Sequence, residues 1–177
     1  MRFGRKTASY WIQSKLSTFF KVNGDKLSQN IPPYGQPLKD KPDNITRIAF
    51  QNVNGMKLES EHTGVTELHE MRKMKLDLVG MAETNLYWTQ EKKIQLATLA
   101  RIAFDGTSRC IASSTKANSE GYLPRGTAMI SQGSISGRCH ARGSDEYGRF
   151  TWMAFRGRDD SGLLVITAYR VVQNIGT

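Results

Sequence analysis

Cysteine is scarce in this 177-residue chain: Cys110 and Cys139 are the only two, too few for a disulfide framework and not at the spacing of a structural zinc site. A reduced, intracellular setting follows as the expectation. No apolar run approaches the ~20 residues that a membrane-spanning helix needs. No apolar stretch follows the first basic residues, as it would in a secretory signal. A membrane role is therefore not expected. The chain also lacks internal repeats, a P-loop and a G-x-G-x-x-G pattern, which sets aside the phosphate-cradling nucleotide folds. Histidine occurs three times, at His62, His69 and His140; none follows a Ser-Asp pair, and all three read as surface residues.

Acidic residues are missing from the first 24 positions. Residues 1–46 carry Arg2, Arg5, Lys6, Lys15, Lys21, Lys26, Lys39 and Lys41 against Asp25, Asp40 and Asp43. More than half of the net charge of +9 therefore lies in the first quarter of the chain. Such a surplus, with a pI near 9.7, suits a polyanionic partner such as nucleic acid. The acid-free start is a weak match to a mitochondrial transit peptide; a basic, disordered extension over residues 1–45 is the preferred reading. Residues 31–43 (IPPYGQPLKDKPD) read as a linker. Within the extension, Ile12, Leu16, Phe19 and Phe20 share a helical face and predict a short amphipathic helix.

One folded domain is expected over residues 46–177. Residues 45–53 are rich in β-formers and end at the turn pair Asn54-Gly55, predicting a strand. Val65, Leu68 and Met71 then recur at helical spacing from Thr63 onward. Residues 76–82 (LDLVGMA) form a nearly continuous apolar run of strand length, as in a strand covered on both faces. A second helix is expected over 89–104, with Leu96, Leu99, Ala100 and Ala103 as its inner stripe and Gly106 as its stop. Further strands are expected over 107–113, 126–131, 149–156 and 163–169, the last two as an antiparallel hairpin. Residues 114–125 and 132–148 read as loops. This order predicts an α+β domain with a mixed sheet and outer helices.

Three polar residues stand at the ends of strand candidates: Asn52, Glu83 and Tyr169. Together a carboxylate, an amide and a phenol suit a hard cation and a phosphate. Glu83 offers the oxygen ligand that Mg²⁺ favours, Asn52 a group to orient it, and Tyr169 a donor for a phosphate oxygen.

At these residues the chain resembles a known superfamily. Residues 47–56 (RIAFQNVNGM) resemble the first strand of the endonuclease/exonuclease/phosphatase superfamily, and residues 77–84 (DLVGMAET) resemble its second signature, a buried strand ending in the metal-binding Glu. Residues 126–130 (GTAMI), 147–150 (YGRF) and 163–169 (LLVITAY) resemble the next core strand and the hairpin that delivers the active-site Tyr. The similarity runs from about residue 46 to 172, with the endonuclease domain of non-LTR retrotransposons as the nearest flavour. It implies a partial four-layer α/β/β/α sandwich of the DNase I-like type. It also implies Mg²⁺ or Mn²⁺ held by Glu83 and Asn52, catalytic roles for Asn52, Glu83 and Tyr169, and contacts to nucleic acid, DNA first, from Asn54, Arg149 and Arg170.

The departures are equally specific. Arg170-Val171 stands where the family usually has Ala-Pro, and neither the family's Asp-x-Asn nor its Asp-His pair follows. The expected function is therefore a metal-dependent phosphodiesterase fragment, truncated before its general base and inactive alone. Two alternatives stay open: a basic nucleic-acid-binding module that does not cut, and a phosphomonoesterase or lipid phosphatase of the same superfamily. An intracellular, nuclear location suits the DNA reading.

Overall fold

The computed structural model describes residues 40–58, 63–104, 106–115 and 125–169, together with the backbone of Ile12–Gln13. Eight strands and three helices follow in the order β1 (Ile12–Gln13), β2 (Ile48–Asn52), α1 (Thr63–Lys73), β3 (Leu78–Ala82), α2 (Gln90–Phe104), β4 (Ser108–Ser113), β5 (Thr127–Gln132), α3 (Ser134–Arg138), β6 (Cys139–Ser144), β7 (Phe150–Arg156) and β8 (Gly162–Ala168). They build a five-stranded sheet in the order β1-β2-β3-β5-β4 and a three-stranded sheet in the order β6-β7-β8. The pairs β1/β2 and β2/β3 are parallel; all the others are antiparallel.

Side-chain alternation assigns the two faces of the first sheet. Val79 and Met81 of β3, Ala112 of β4, and Ala128 and Ile130 of β5 pack against Leu68 and Met71 of α1 and Leu96, Ala100, Ala103 and Phe104 of α2. Leu68 and Met71 of the stripe expected on α1, and the whole stripe expected on α2, thus lie on the buried faces, while the side chain of Val65 lies outside the described residues. Thr89 caps α2, its Oγ1 accepting the Lys92 N–H at 3.3 Å, which satisfies one of the helix's free donors. On the other face Leu78 and Met129 meet Met153 and Phe155 of β7, Val165 of β8 and Ile135 of α3. Burying Met153 and Phe155, at 0% and 2% exposure, contributes on the order of 1.5–3 kcal/mol each. Three layers result, helices on sheet on sheet, which are three of the four that the resemblance implied.

Most elements lie where periodicity put them, and the hairpin of β7 and β8 is antiparallel, with Phe150 opposite Ala168. Two readings need correction. Residues 132–148 are not a loop, because they contain α3 and β6. The composition of β6, CHARGS, has little strand propensity, but β7 presents an open ladder beside it. The ring of Trp152 lies where a side chain on Gly143 would be, 2.5 Å from an added Cβ, so an aromatic neighbour fills in for the glycine. His140 accordingly sits exposed on a strand rather than in a loop. The second correction concerns Ile12, expected on a helical face but extended, opposite Ala49 at the edge of β2. The open edge of a sheet offers hydrogen bonds that outweigh a weak helical pattern. The rest of that predicted helix, most of the 1–45 extension, His62 and Arg170 lie outside the described residues.

Register places one end of every long strand at a common rim. Asn52 is opposite Ala82, Ala82 opposite Thr127 and Thr127 opposite Ser113. In the second sheet Ser144 is opposite Thr151, which is opposite Thr167. The Ser113 hydroxyl donates to the Asp145 carbonyl at 2.5 Å, so the two sheets reach the same rim side by side.

Candidate functional site

β2 and β3 do not separate where their ladder ends. Val53 N–H donates to Ala82 O, Gly55 N–H to Glu83 O at 2.7 Å, and Met56 N–H to Thr84 O at 2.8 Å. Asn52 closes the turn above its strand by accepting the Asn54 N–H at 3.0 Å through Oδ1, as Asn does when its side chain mimics a turn. Asn54, Glu83 and Asn85 all hold left-handed backbone, at φ 44, 53 and 51. Each such residue costs on the order of 1–3 kcal/mol, and strain of this kind collects at functional sites. Glu83 is the unusual member, since carboxylate side chains one methylene longer than Asp gain no local hydrogen bond there.

What holds Glu83 in that conformation is its neighbour. Thr84 is fully buried; its Oγ1 accepts the Trp88 Nε1–H at 2.9 Å, and its N–H donates to Gly126 O. Gly126, at φ 104, stands so close that an added Cβ would overlap Thr84 Oγ1 and lie 3.4 Å from Ser113 O. The Trp88 N–H in turn donates to Ser114 Oγ at 2.9 Å. The Glu-Thr pair is therefore clamped between the turn after β2 and the start of β5, leaving the Glu83 side chain half-exposed at the rim.

Tyr169 comes from the opposite sheet. Its N–H donates to Arg149 O at 2.7 Å, extending the β7/β8 ladder one step past Ala168. Thr167, two residues earlier on the same face, is 2% exposed and rests on Gly80 of β3, where an added Cβ would overlap its Oγ1. Both strands run toward the rim. Two residues of extended chain add about 7 Å, which carries Tyr169 from above Gly80 to the level of Ala82 and Glu83. Asp145 ties down the same corner: its carboxylate accepts from the N–H of Arg149 at 2.8 Å and of Phe150 at 3.2 Å, and from Arg149 Nε at 2.6 Å. Burial alone would raise the Asp145 pKa, but the hydrogen bonds from Arg149 and Phe150 outweigh it and lower it. The Arg149 guanidinium also lies 4.8 Å from the centroid of the Tyr147 ring.

At this end the gap between the sheets changes from apolar to hydroxylic. Ser113, Thr127, Thr151 and Thr167 are all buried, and neither Thr127 Oγ1 nor Thr151 Oγ1 has a hydrogen-bond partner. Sequence reasoning missed this floor, as it missed the Trp88–Ser114 and Asp145 clamps; the signal available was a Thr at the rim end of three otherwise apolar strands. Asn54 is exposed beside Asn52 and Arg149 is exposed beside Tyr169, whereas His69 lies on α1 and His140 on β6, on elements apart from Glu83. No group of three or more His, Cys, Asp or Glu gathers anywhere among the described residues. One half-exposed carboxylate flanked by amides and hydroxyls is an all-oxygen donor set. It fits a magnesium-like ion, which keeps most of its water and takes one or two carboxylates, and does not fit zinc.

Neither a protein-family model nor a curated protein matches the chain. Among solved structures, the AP endonuclease LMAP from Leishmania major superposes with a TM-score of 0.50 at 22% identity, over 70% of this chain and 40% of its own. An endonuclease/exonuclease/phosphatase family protein from Leptotrichia buccalis gives 0.49 at 12% identity, over 73% of this chain and 55% of its own. The chain thus spans about half the length of the structures it resembles. The likeness to the AP endonuclease establishes a DNase I-like fold.

Proposed function

We propose that this chain carries the cation-binding and phosphate-positioning part of a metal-dependent phosphodiesterase that acts on nucleic acid, DNA in preference. The reading rests on one observation. It is supported by register, which pairs Asn52 with Ala82, the residue before Glu83, and by the seating on Gly80 of Thr167, two residues before Tyr169. Glu83 and Asn52 are the residues that would hold Mg²⁺ or Mn²⁺, and such an ion offsets charge on a bound phosphate. The Asn52 amide has donors left to orient the Glu83 carboxylate, and the Tyr169 hydroxyl donates to a phosphate oxygen. Asn54, Arg149 and Arg170 extend contacts along the backbone on either side. The resemblance of residues 47–56 and 77–84 to retrotransposon endonucleases, and the likeness to an AP endonuclease, favour DNA over phosphomonoesters or lipids.

Among the described residues no Asp-His couple stands at the rim, and a general base adds about 10²–10⁴-fold to such reactions. The chain alone is therefore expected to bind a phosphodiester with cation help and to cut it poorly or not at all. Fluorescence anisotropy with a short labelled duplex, with and without Mg²⁺, tests this beside a plasmid-nicking assay. Mg²⁺ should tighten binding by the wild type but not by Glu83→Gln, with no nicking by either. Strong nicking that Glu83→Ala abolishes would overturn the inactive-fragment part; a Mg²⁺ effect that persists in Glu83→Gln would overturn the site.

A further inference from the structure

We propose that the flank of the sandwich between β4 and β6 is a second nucleic-acid contact, on which Arg142, Arg109 and Arg101 form a descending ladder for the phosphodiester backbone leaving the rim. The proposal rests on the nucleic-acid reading above but uses none of the rim residues.

β4 and β6 are the outer strands of their two sheets, and they pack beside each other. Arg142 is opposite Met153, a residue of the inter-sheet core, so it points into the gap and escapes to solvent at the open side. Arg109 has the same parity as Ile111, another inter-sheet residue, and does likewise. By register Arg142 lies two residues below Ser144 and Arg109 four residues below Ser113, about 7 Å and 13 Å down from the rim. Arg101 stands in the last turn of α2, the element that feeds β4.

All three are exposed. None of them takes part in the ion pairs of the described residues, which join Lys41 to Asp77, Lys73 to Glu70, Lys75 to Asp40 and Arg149 to Asp145. Cys110 of β4 faces the helix layer. Burial pushes its thiol up to about 12, although Arg142 and Arg101 are both close enough to pull it down. The thiol stays neutral, so the guanidinium charges are not offset from within. Exposed charges spaced along the flank below the proposed phosphate-binding rim match a strand of phosphodiesters, which Arg contacts through paired N–H donors.

The test is a salt titration of binding to a labelled DNA between about 50 and 200 mM salt. It compares the wild type with a triple Arg101→Gln, Arg109→Gln, Arg142→Gln variant and with the corresponding triple Lys variant. The slope of log K against log salt should become shallower by roughly 0.7–0.9 per arginine removed, so by about 2–3 in the Gln variant, with the Lys variant close to wild type. An unchanged slope in a Gln variant that melts normally would overturn the proposal, leaving these arginines as inward charges that keep two sheet edges from aggregating. It would equally fall if the wild type bound phosphatidylserine vesicles, the Gln variant did not, and both bound DNA alike. Glu83→Gln, run alongside, separates the two ideas: it should keep the full salt slope while losing the Mg²⁺ effect.

Discussion

Gly80→Ala is the substitution that asks most of this structure. Gly80 faces the gap at the centre of β3, and a Cβ there would overlap Thr167 Oγ1 and stand 3.2 Å from Thr167 Cβ and 3.4 Å from Phe50 Cδ2. Thr167 is β-branched and 2% exposed, so its χ1 has little freedom to swing away, and β8 has to lift. Overpacking of this kind costs about 1–3 kcal/mol; the entropy that Ala removes from the unfolded chain returns about 0.4–1 kcal/mol. A net loss of about 1–2 kcal/mol should remain, or roughly 2–8 °C in Tm for a domain of this size. Thermal melts followed by circular dichroism would read it. The partner is tested by repeating Gly80→Ala in a Thr167→Ala background, which removes Oγ1; the penalty should shrink, with a coupling of about 1 kcal/mol for residues in contact. An unshifted or raised Tm, or a penalty equal in both backgrounds, would mean that β8 does not rest on β3. The support for a shared site of Tyr169 and Glu83 would then be lost.

Other consequences follow from the same rim. Thr127→Val and Thr151→Val should each stabilise the fold by about 1 kcal/mol, because each removes a buried hydroxyl without a partner and keeps the shape; a lower urea midpoint would show that the hydroxyls are satisfied after all. Glu83→Gly should hold or raise Tm, since it relieves the left-handed strain at φ 53, while abolishing the Mg²⁺ effect on binding; a drop of several degrees would contradict the strain. Gly126→Ala, at φ 104 and against Thr84, should cost more than about 1 kcal/mol by the overpacking estimate, read as a lower urea midpoint; an unchanged midpoint would show that Thr84 is not crowded there. For Asp145 the folded pKa lies below its ordinary value of 3.8, so its stabilisation is present above that value and is lost as pH falls through the folded one. Asp145→Asn should therefore be less stable than wild type near neutral pH, mainly through the two backbone N–H bonds, since the exposed ion pair to Arg149 adds only about 0–1 kcal/mol. The gap in urea midpoint should close as pH drops below about 3.8.

Much of this architecture is readable from residue patterns because burial imposes its own period. β3 is apolar on both faces, LVGMA, and is buried along its whole length; α2 shows Leu96, Ala100 and Ala103 at one face and buries those. Asn52, Glu83 and Tyr169 stand out because each follows an apolar run. What stayed hidden depends on partners distant in sequence. β6 has no strand signature of its own and exists because β7 offers it a ladder. The left-handed conformation of Glu83 is imposed by Gly55, Thr84 and Gly126, not by any preference of glutamate. Asp145 reads as one more acid in a loop until Arg149 and Phe150 turn their N–H groups toward it.

The two ends of the sandwich differ in a way that bears on how such a site can exist at all. The far end is closed by Leu78, Ile135 and Phe155, side chains whose burial stabilises the fold and asks nothing of geometry beyond volume. The rim end instead carries two buried hydroxyls without partners and Gly126, at which no side chain fits; left-handed residues occur at both ends, at Asn54, Glu83 and Asn85 by the rim and at Lys75, Asp159 and Asp160 by the far end. Each of these features is unfavourable for stability by about 1–3 kcal/mol or leaves no room for improvement. The unpartnered hydroxyls at the rim support the proposal that something outside the chain binds there. Substitutions at the far end should therefore change stability and leave Mg²⁺-dependent binding alone. Those at the rim should divide into changes that stabilise and disable, such as Glu83→Gly, and changes that disturb both, such as Gly126→Ala.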